Sequence, residues 1–140
     1  MDKSKDLPVR EHPNLAKAAG EMILVVEDDR DLRRILLETL VALNYRVRDA
    51  GDGRDALVIL SEDDEVDLLL TDVALPGGLV GPEIAIKARE MRPGLPVIYM
   101  SGYTQDANIM GEGAISEVDL LKKPFNIADL AQRLRTALEN

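Results

Sequence analysis

The chain has 140 residues and a formal net charge of −9, with 46% hydrophobic and 31% charged residues. That length suits one compact domain, and the acidic balance argues against a surface that neutralises nucleic-acid phosphates. The absence of cysteine excludes disulfides, thiolate metal sites and cysteine nucleophiles. The apolar runs are too short to cross a bilayer, and no secretory signal is visible, so we expect a cytoplasmic protein without direct membrane contact.

Residues 1–20 differ in composition from the residues that follow. They contain two prolines, no hydrophobic period, and four Lys/Arg against three Asp/Glu, so this segment carries +1 and the remaining 120 residues carry −10. We expect a linker or flexible N-terminal extension here, followed by one domain over residues 21–140. His12, the single histidine of the chain, is expected to be a solvated side chain of this extension.

Short apolar runs alternate with helical periods from Glu21 onward. Met22–Val26 is rich in β-branched residues without polar alternation, which is typical of a strand covered on both faces. Leucines at helical spacing from Leu32 to Leu43 predict a first helix. Tyr45–Ala50 is a more polar strand, which we therefore expect near an edge of the sheet.

The middle of the chain repeats this alternation. Gly53–Leu60 predicts a second helix and Val66–Thr71 a third strand, which is followed by a glycine-containing loop over Pro76–Gly81. Pro82 suits the first position of a helix, because its missing N–H has no partner to lose there. That helix is expected to end at Met91.

The last third of the chain gives two more strands and a helix. Pro96–Met100 predicts a fourth strand, Asp119–Lys122 a weaker fifth, and Asn126 caps a final helix. Gln105–Glu117 is harder to assign because two glycines interrupt any helix in it. Five strands alternating with about five helices indicate a doubly wound, parallel α/β sheet. In such folds the functional site lies beyond the carboxyl ends of the strands.

Polar residues follow four of the predicted strands at their carboxyl ends. They are Glu27, Asp28 and Asp29 after the first strand, Asp72 after the third, Ser101 after the fourth and Lys123 after the fifth. Each of them alone is typical of a solvated loop. Parallel strands, however, bring all four ends to one edge of the sheet. The sequence therefore predicts a polar site at that edge.

A cluster of carboxylates at this edge favours a bound cation. Two carboxylates 4 Å apart repel by about 4 kcal/mol at an effective dielectric constant near 20. Oxygen ligands favour Mg²⁺ or a similar hard ion such as Mn²⁺. Asp72 could accept a phosphoryl group as an acyl phosphate, and the ammonium of Lys123 and the hydroxyl of Ser101 would offset its charge.

Four short motifs carry a family resemblance. They are Ile23–Asp29, Leu70–Asp72, Met100–Tyr103 and Lys123–Phe125. In order and spacing they resemble the receiver domain of two-component response regulators. Within that family, Gly20–Asp29, Leu75–Gly78 and Met100–Tyr103 are most similar to the C-terminal receivers of hybrid histidine kinases. The resemblance covers Glu21 to the end of the chain. It implies a flavodoxin-like sheet with the strand order 2-1-3-4-5.

The resemblance also implies a role for each site residue. Asp72 would be the phosphoacceptor and Asp28 a direct Mg²⁺ ligand, together with Asp72 and the backbone carbonyl of Ala74. Glu27 would act on the metal through water, and Asp29 is a weaker candidate ligand. Ser101 would be the switch hydroxyl and Lys123 the phosphate contact, with its Lys123–Pro124 peptide in cis. Because successive side chains of a strand point to opposite faces, only one of Lys122 and Lys123 can face the site.

One position departs from the family pattern. The family often has Tyr or Phe three residues before the site lysine, and that position is Leu120 here. Tyr103 could substitute for it as a switch residue, or it could be a partly exposed aromatic at the rim. A third alternative is that the receiver signals through loop and helix movement.

The resemblance implies a signalling domain that catalyses only its own phosphorylation and dephosphorylation. Its phosphodonor would be a histidine kinase or a histidine phosphotransfer domain, its output would be a protein contact, and a homodimer through the face between the fourth strand and the last helix is allowed. One alternative is a Mg²⁺-dependent phosphohydrolase, although Ala74 stands where that class needs a second acid. Another is a pseudo-receiver that only binds proteins, although no acid or lysine of the site is missing.

Overall fold

The computed structural model describes residues 18–102 and 119–139. The sequence predictions for His12, Tyr103 and Gln105–Glu117 lie outside the described residues, as does most of the predicted N-terminal extension. Everything below refers to the two described segments.

The centre of the molecule is a parallel sheet of five strands. Its strands are β1 (Met22–Val26), β2 (Arg46–Ala50), β3 (Val66–Asp72), β4 (Val97–Ser101) and β5 (Leu120–Lys122). The order across the sheet is β2-β1-β3-β4-β5, which confirms the predicted doubly wound topology. The polar strand β2 lies at an edge, as its composition predicts, while every residue of β1 is buried.

Helices cover both faces of this sheet. In the described segments they are α1 (Arg30–Ala42), α2 (Gly53–Glu62), α3 (Gly81–Met91) and α4 (Ile127–Glu139). The leucines of α1 and α4 pack on one face of the sheet, and α2 and α3 cover the other. Alternate residues of β1 therefore enter two separate apolar layers, which explains its unbroken hydrophobic run. Within the described residues, no helix is both long and apolar enough to pass through a membrane.

Side-chain caps define where three of the helices begin. Asp29 caps α1, Asp52 caps α2, and the Oδ1 of Asn126 accepts the N–H of Asp129 at 2.8 Å at the start of α4. The cap at Asn126 was predicted from the sequence. The prediction for Pro82 was one position off, because α3 begins at Gly81 and the proline takes its second position. The first four N–H groups of a helix lack internal partners, so proline loses no helical hydrogen bond there either.

Two strands extend one residue further than their hydrophobic runs predict. Asp72 and Ser101 are the last residues of β3 and β4 rather than the first residues of the following loops. Backbone pairing extends the strands here, since Asp72 is in register with Met100, and Ser101 with Lys122. Both polar side chains are consequently held by the rigid sheet.

A short segment leads into β1 and is fixed by three other parts of the fold. Ala18 is buried, and its N–H donates to the carbonyl of Leu43 at 2.9 Å. The Nδ2 of Asn44 donates to the carbonyl of Ala18 at 2.9 Å. Glu21 forms an ion pair of 2.8 Å with Arg135 of α4. This lead-in segment, Ala18–Glu21, therefore packs as part of the domain, at the amino ends of the strands.

Candidate functional site

Three acidic residues meet at the carboxyl edge of the sheet. Glu27 follows β1 and is only 1% exposed, Asp28 is exposed, and Asp72 closes β3 with 4% exposure. One carboxylate oxygen from each of the three residues lies within 4.8 Å of the other two. The two central strands β1 and β3 thus bring together acids that are 44 residues apart in the chain.

Lys123 provides the positive charge of this cluster. Its Nζ lies 3.0 Å from Oε1 of Glu27 and 2.8 Å from Oδ1 of Asp72. The backbone N–H of Lys123 donates to the carbonyl of Ser101 at 2.7 Å, and the Lys123–Pro124 peptide is cis. Lys122, the neighbouring residue, is exposed. Of the two lysines that the sequence offers, the structure places Lys123 against the acids.

The electrostatics of the cluster follow from burial and from the hydrogen bonds among its charged groups. Burial and the hydrogen bond with Glu27 raise the pKa of Asp72 to about 8. Burial also opposes the ionisation of Glu27, but hydrogen bonds with Asp72, the N–H of Asp29 and Lys123 leave its pKa lowered. For Lys123 the same two acids outweigh burial and raise the pKa. The metal-free site therefore keeps Glu27 and Lys123 charged and favours a proton on Asp72.

Asp29 has a different structural role from its two acidic neighbours. Its Oδ1 accepts the N–H groups of Asp31 at 3.0 Å and Leu32 at 3.1 Å, which caps α1. Its own N–H donates to Oε2 of Glu27 at 3.1 Å. The group of three acids within mutual ligand distance does not include it. The structure thus uses Asp29 to fix the turn that carries Glu27 and Asp28.

Ser101 and Ala74 complete the set of residues that the sequence predicts for this edge. Ser101 is 8% exposed at the end of β4, the strand beside β3. Ala74 is exposed, two residues after Asp72. The structure thus places Glu27, Asp28, Asp72 and Lys123 in one cluster, with Ser101 on the adjacent strand end.

Two residues at the edge were missed by the sequence reasoning. The Nη1 of Arg33 donates to the backbone carbonyl of Glu27 at 2.7 Å. A Cβ added to Gly81 would lie 2.3 Å from the backbone oxygen of Asp72, so α3 can approach the end of β3 this closely only at a glycine. An arginine one turn into the helix after the acids is a weak signal for the first contact, and we find no sequence signal for the second.

The donor set fits a hard divalent cation. The side-chain ligand atoms of Glu27, Asp28 and Asp72 are all carboxylate oxygens, which is the chemistry that Mg²⁺ and Mn²⁺ prefer. The buried Oδ1 of Asp72 has the ion-pair contact with Lys123 but no directed hydrogen bond from any described residue. An oxygen in that state has lone pairs left for a metal ion.

Comparison with known proteins matches this arrangement to one family. The family model described as "Response regulator receiver domain" matches residues 23–135. The response regulator receiver protein CpdR of Brucella abortus is 34% identical over 116 residues, covering 83% of this chain and 95% of that protein. The sensor kinase CckA of Brucella abortus is 30% identical over 143 residues. That match covers 98% of this chain but only 15% of the kinase.

Solved structures agree with these sequence matches. The receiver domain from a hybrid histidine kinase, also named CckA, has a TM-score of 0.67 and 34% identity, covering 84% of this chain and 98% of that one. The response regulator TrrA from Thermotoga maritima, solved in complex with Mg²⁺–BeF, has a TM-score of 0.72 and 26% identity, covering 84% and 99%. With its five-stranded topology, its cluster of acids and lysine, and these matches, the chain belongs to the response regulator receiver family.

Proposed function

We propose that this receiver domain takes a phosphoryl group from a phosphohistidine on a partner protein onto Asp72, in the presence of Mg²⁺. One observation carries the proposal: Lys123 lies between two buried carboxylates, Glu27 and Asp72, at the edge where Asp28 supplies an exposed third. Such a site has an acceptor oxygen, a fixed cation and room for a metal ion.

Three residues of the chain have separate roles in the proposed phosphoryl transfer. The Asp72 carboxyl releases its proton to solvent, and one of its oxygens forms the new bond to phosphorus. The bond from phosphorus to the donor imidazole nitrogen breaks, and that nitrogen keeps the electron pair. Lys123 is placed to contact a phosphoryl oxygen, since its Nζ already lies 2.8 Å from the acceptor carboxylate. The Ser101 hydroxyl is the proposed donor to a second oxygen.

The proposed metal ligands are Asp28, Asp72 and the backbone carbonyl of Ala74, with Glu27 acting through water. Bound Mg²⁺, or Mn²⁺ in its place, would neutralise charge on the carboxylates and on the incoming phosphoryl group. The relative TrrA was solved with Mg²⁺ and BeF, which supports Mg²⁺ as the ion. Asp29 is the weakest candidate, because its carboxylate is engaged at the start of α1.

Phosphorylation would shift the population between two arrangements of the β4 and β5 surface. New contacts to the phosphoryl group would draw Ser101 and Lys123 inward. Leu120 is buried on β5, where many family members have an aromatic residue. Tyr103 lies outside the described residues, so its role as a switch residue stays a prediction. The proposed location of this domain is the cytoplasm, and its proposed phosphodonor is a histidine kinase or histidine phosphotransfer domain. The proposed output is a protein contact without nucleic acid.

The domain setting is also a proposal. We assign residues 21–140 to the receiver, with a preceding linker whose last residues dock on the domain. The match to 15% of a sensor kinase supports a receiver attached to a hybrid kinase, while the match to 95% of CpdR supports a stand-alone protein. Mass measurement of the natural polypeptide would distinguish these settings.

The test is intact mass after incubation with Mg²⁺ and acetyl phosphate. We expect the wild type to gain one phosphoryl group, and the gain to disappear in Asp72→Asn and when Mg²⁺ is chelated. Asp67→Asn, which changes an exposed acid on the same strand, is the matched control and should be labelled like the wild type. Labelling of Asp72→Asn would exclude Asp72 as the acceptor. An unlabelled wild type that also fails with a phosphohistidine donor would favour a pseudo-receiver.

A further inference from the structure

Arg33 on α1 reaches back to the end of β1. Its Nη1 donates to the backbone carbonyl of Glu27 at 2.7 Å, and its Nε lies 3.0 Å from Oδ2 of Asp49 on β2. A Cβ on Gly51 would lie 3.0 Å from the same Nη1, so the glycine leaves room for the guanidinium. The Arg33 side chain, 21% exposed, therefore bridges the edge strand and the turn that carries the acids.

Hydrogen bonds hold the first and last residues of that turn, Glu27 and Asp29. The N–H of Glu27 donates to the carbonyl of Ala50 at 3.1 Å, and its carbonyl accepts from Arg33. Asp29 is fixed by its contacts with Glu27 and with the start of α1. Among the described residues, no hydrogen bond or ion pair holds the carboxylate of Asp28. Its position relative to the other acids consequently depends on the backbone of the turn.

We propose that Arg33 is a positioning residue for the Mg²⁺ site, holding the Glu27 carbonyl so that the Asp28 carboxylate stays within ligand distance of Asp72. The inference rests on the proposed function, specifically on Mg²⁺ binding. A hydrogen bond from a charged donor is roughly twice as strong as a neutral one, which suits a contact that must orient a backbone group. Groups that orient metal ligands typically change metal affinity by about 10- to 100-fold.

Charge alone predicts the opposite effect. A guanidinium close to a divalent cation repels it, so neutralising Arg33 would strengthen Mg²⁺ binding if repulsion were its only influence. If Arg33 instead positions the turn, neutralising it should weaken Mg²⁺ binding. Lysine separates the two further, because it keeps the charge but cannot contact the Glu27 carbonyl and the Asp49 carboxylate with a planar fork. The sign of the change in affinity therefore distinguishes the two roles.

The experiment measures Mg²⁺ dissociation constants by calorimetry on the full chain and on three variants. Arg33→Met removes the guanidinium and its charge, and Arg33→Lys removes the guanidinium but keeps a positive charge. Arg34→Met removes the same charge from a neighbouring residue whose ion pair, with Glu38 at 3.6 Å, is exposed. We expect both Arg33 variants to bind Mg²⁺ about tenfold more weakly. Arg34→Met should stay within about twofold of the wild type, because exposed pairs contribute little.

A second measurement needs no metal. Hydrogen exchange of the Asp29 amide, which donates to Glu27 at 3.1 Å, should be faster in the Arg33 variants than in Arg34→Met. Exchange at Asp29 is compared with exchange in the core of β3. This comparison separates a local effect on the turn from a general loss of stability in a variant. Uniformly faster exchange at both places, without a change specific to Asp29, would overturn the positioning role.

Failure of the inference differs from failure of the proposed function. A wild type that does not bind Mg²⁺ contradicts the proposed function, and the inference with it. A wild type that binds Mg²⁺ while Arg33→Met binds equally or more tightly contradicts the inference alone. Equal weakening by Arg33→Met and Arg34→Met would also contradict it, because the effect would then not depend on the contact between Arg33 and the turn.

Discussion

Asp72→Asn should stabilise the metal-free protein at neutral pH while abolishing phosphorylation. Burial and the hydrogen bond with Glu27 raise the pKa of the Asp72 carboxyl from its ordinary value of 3.8 to about 8. Because the unfolded chain ionises this carboxyl at pH 7 while the folded chain keeps it largely protonated, the raised pKa lowers stability by on the order of 4 kcal/mol at pH 7, which sets the ceiling of the effect. Asparagine keeps the shape of the protonated carboxyl without a charge. We expect a gain of about 2 kcal/mol, or roughly 6 °C in Tm, since some water reaches the site.

The pH dependence gives this prediction its sign. Between its unfolded and folded pKa values the Asp72 carboxyl binds a proton only in the folded state. Its contribution to stability is therefore fully present below about pH 4 and is lost as the pH rises through about 8. The advantage of Asp72→Asn over the wild type should consequently be absent near pH 4 and greatest at pH 8 and above.

Urea unfolding from pH 4 to pH 9 with a chelator present measures the difference directly. Asp28→Asn is the matched control, because it removes an exposed carboxylate from the same cluster and should change stability by less than about 1 kcal/mol. Added Mg²⁺ should stabilise the wild type more than Asp72→Asn, since one proposed ligand is missing from the variant. An Asp72→Asn protein no more stable than the wild type at pH 8 would refute the assigned electrostatics.

Two further substitutions test the packing around the site and at the opposite end of the sheet. Gly81→Ala would place a Cβ 2.3 Å from the backbone oxygen of Asp72, and we expect a loss of about 2–3 kcal/mol in urea unfolding. Gly102→Ala, where the new contact with Lys123 is an ordinary 3.5 Å, should be milder, and equal losses would contradict the close approach. Arg92→Met should cost about 1–3 kcal/mol, because the Arg92 guanidinium donates to three carbonyls around the end of α2 and the start of β3. If the Tm of Arg92→Met is no lower than that of Arg34→Met, the stabilising role of the Arg92 guanidinium is excluded.

The parts of the fold that depend on local pattern could be predicted from the sequence. An unbroken apolar run identified β1, because a strand covered on both faces has no polar side to alternate with. The Asn126 cap and the spacing of Leu130 and Leu134 identified α4. Strand topology then required the polar residues at the strand ends to meet, and the acids and Lys123 do lie together.

The remaining features depend on side-chain directions and contacts that a pattern does not encode. Arg92 donates to a carbonyl 32 residues away, and Arg33 to one across a turn, and neither contact alters hydrophobic periodicity. Asp29 reads as a third site acid in the sequence, yet the start of α1 uses its carboxylate as a cap. Pairing with Met100 sets the end of β3 at Asp72, beyond the last apolar residue of the run.

The docking of Ala18–Glu21 has a practical consequence for protein engineering. The chain enters the domain at the amino ends of the strands, and five residues of β1 separate that point from the acids, a distance of roughly 16 Å. An attachment point at Ala18 would therefore lie at the opposite end of β1 from the site acids. A truncation that begins after Glu21 would instead remove the partner of Arg135 and loosen α4. Deletion boundaries should accordingly be placed before Ala18.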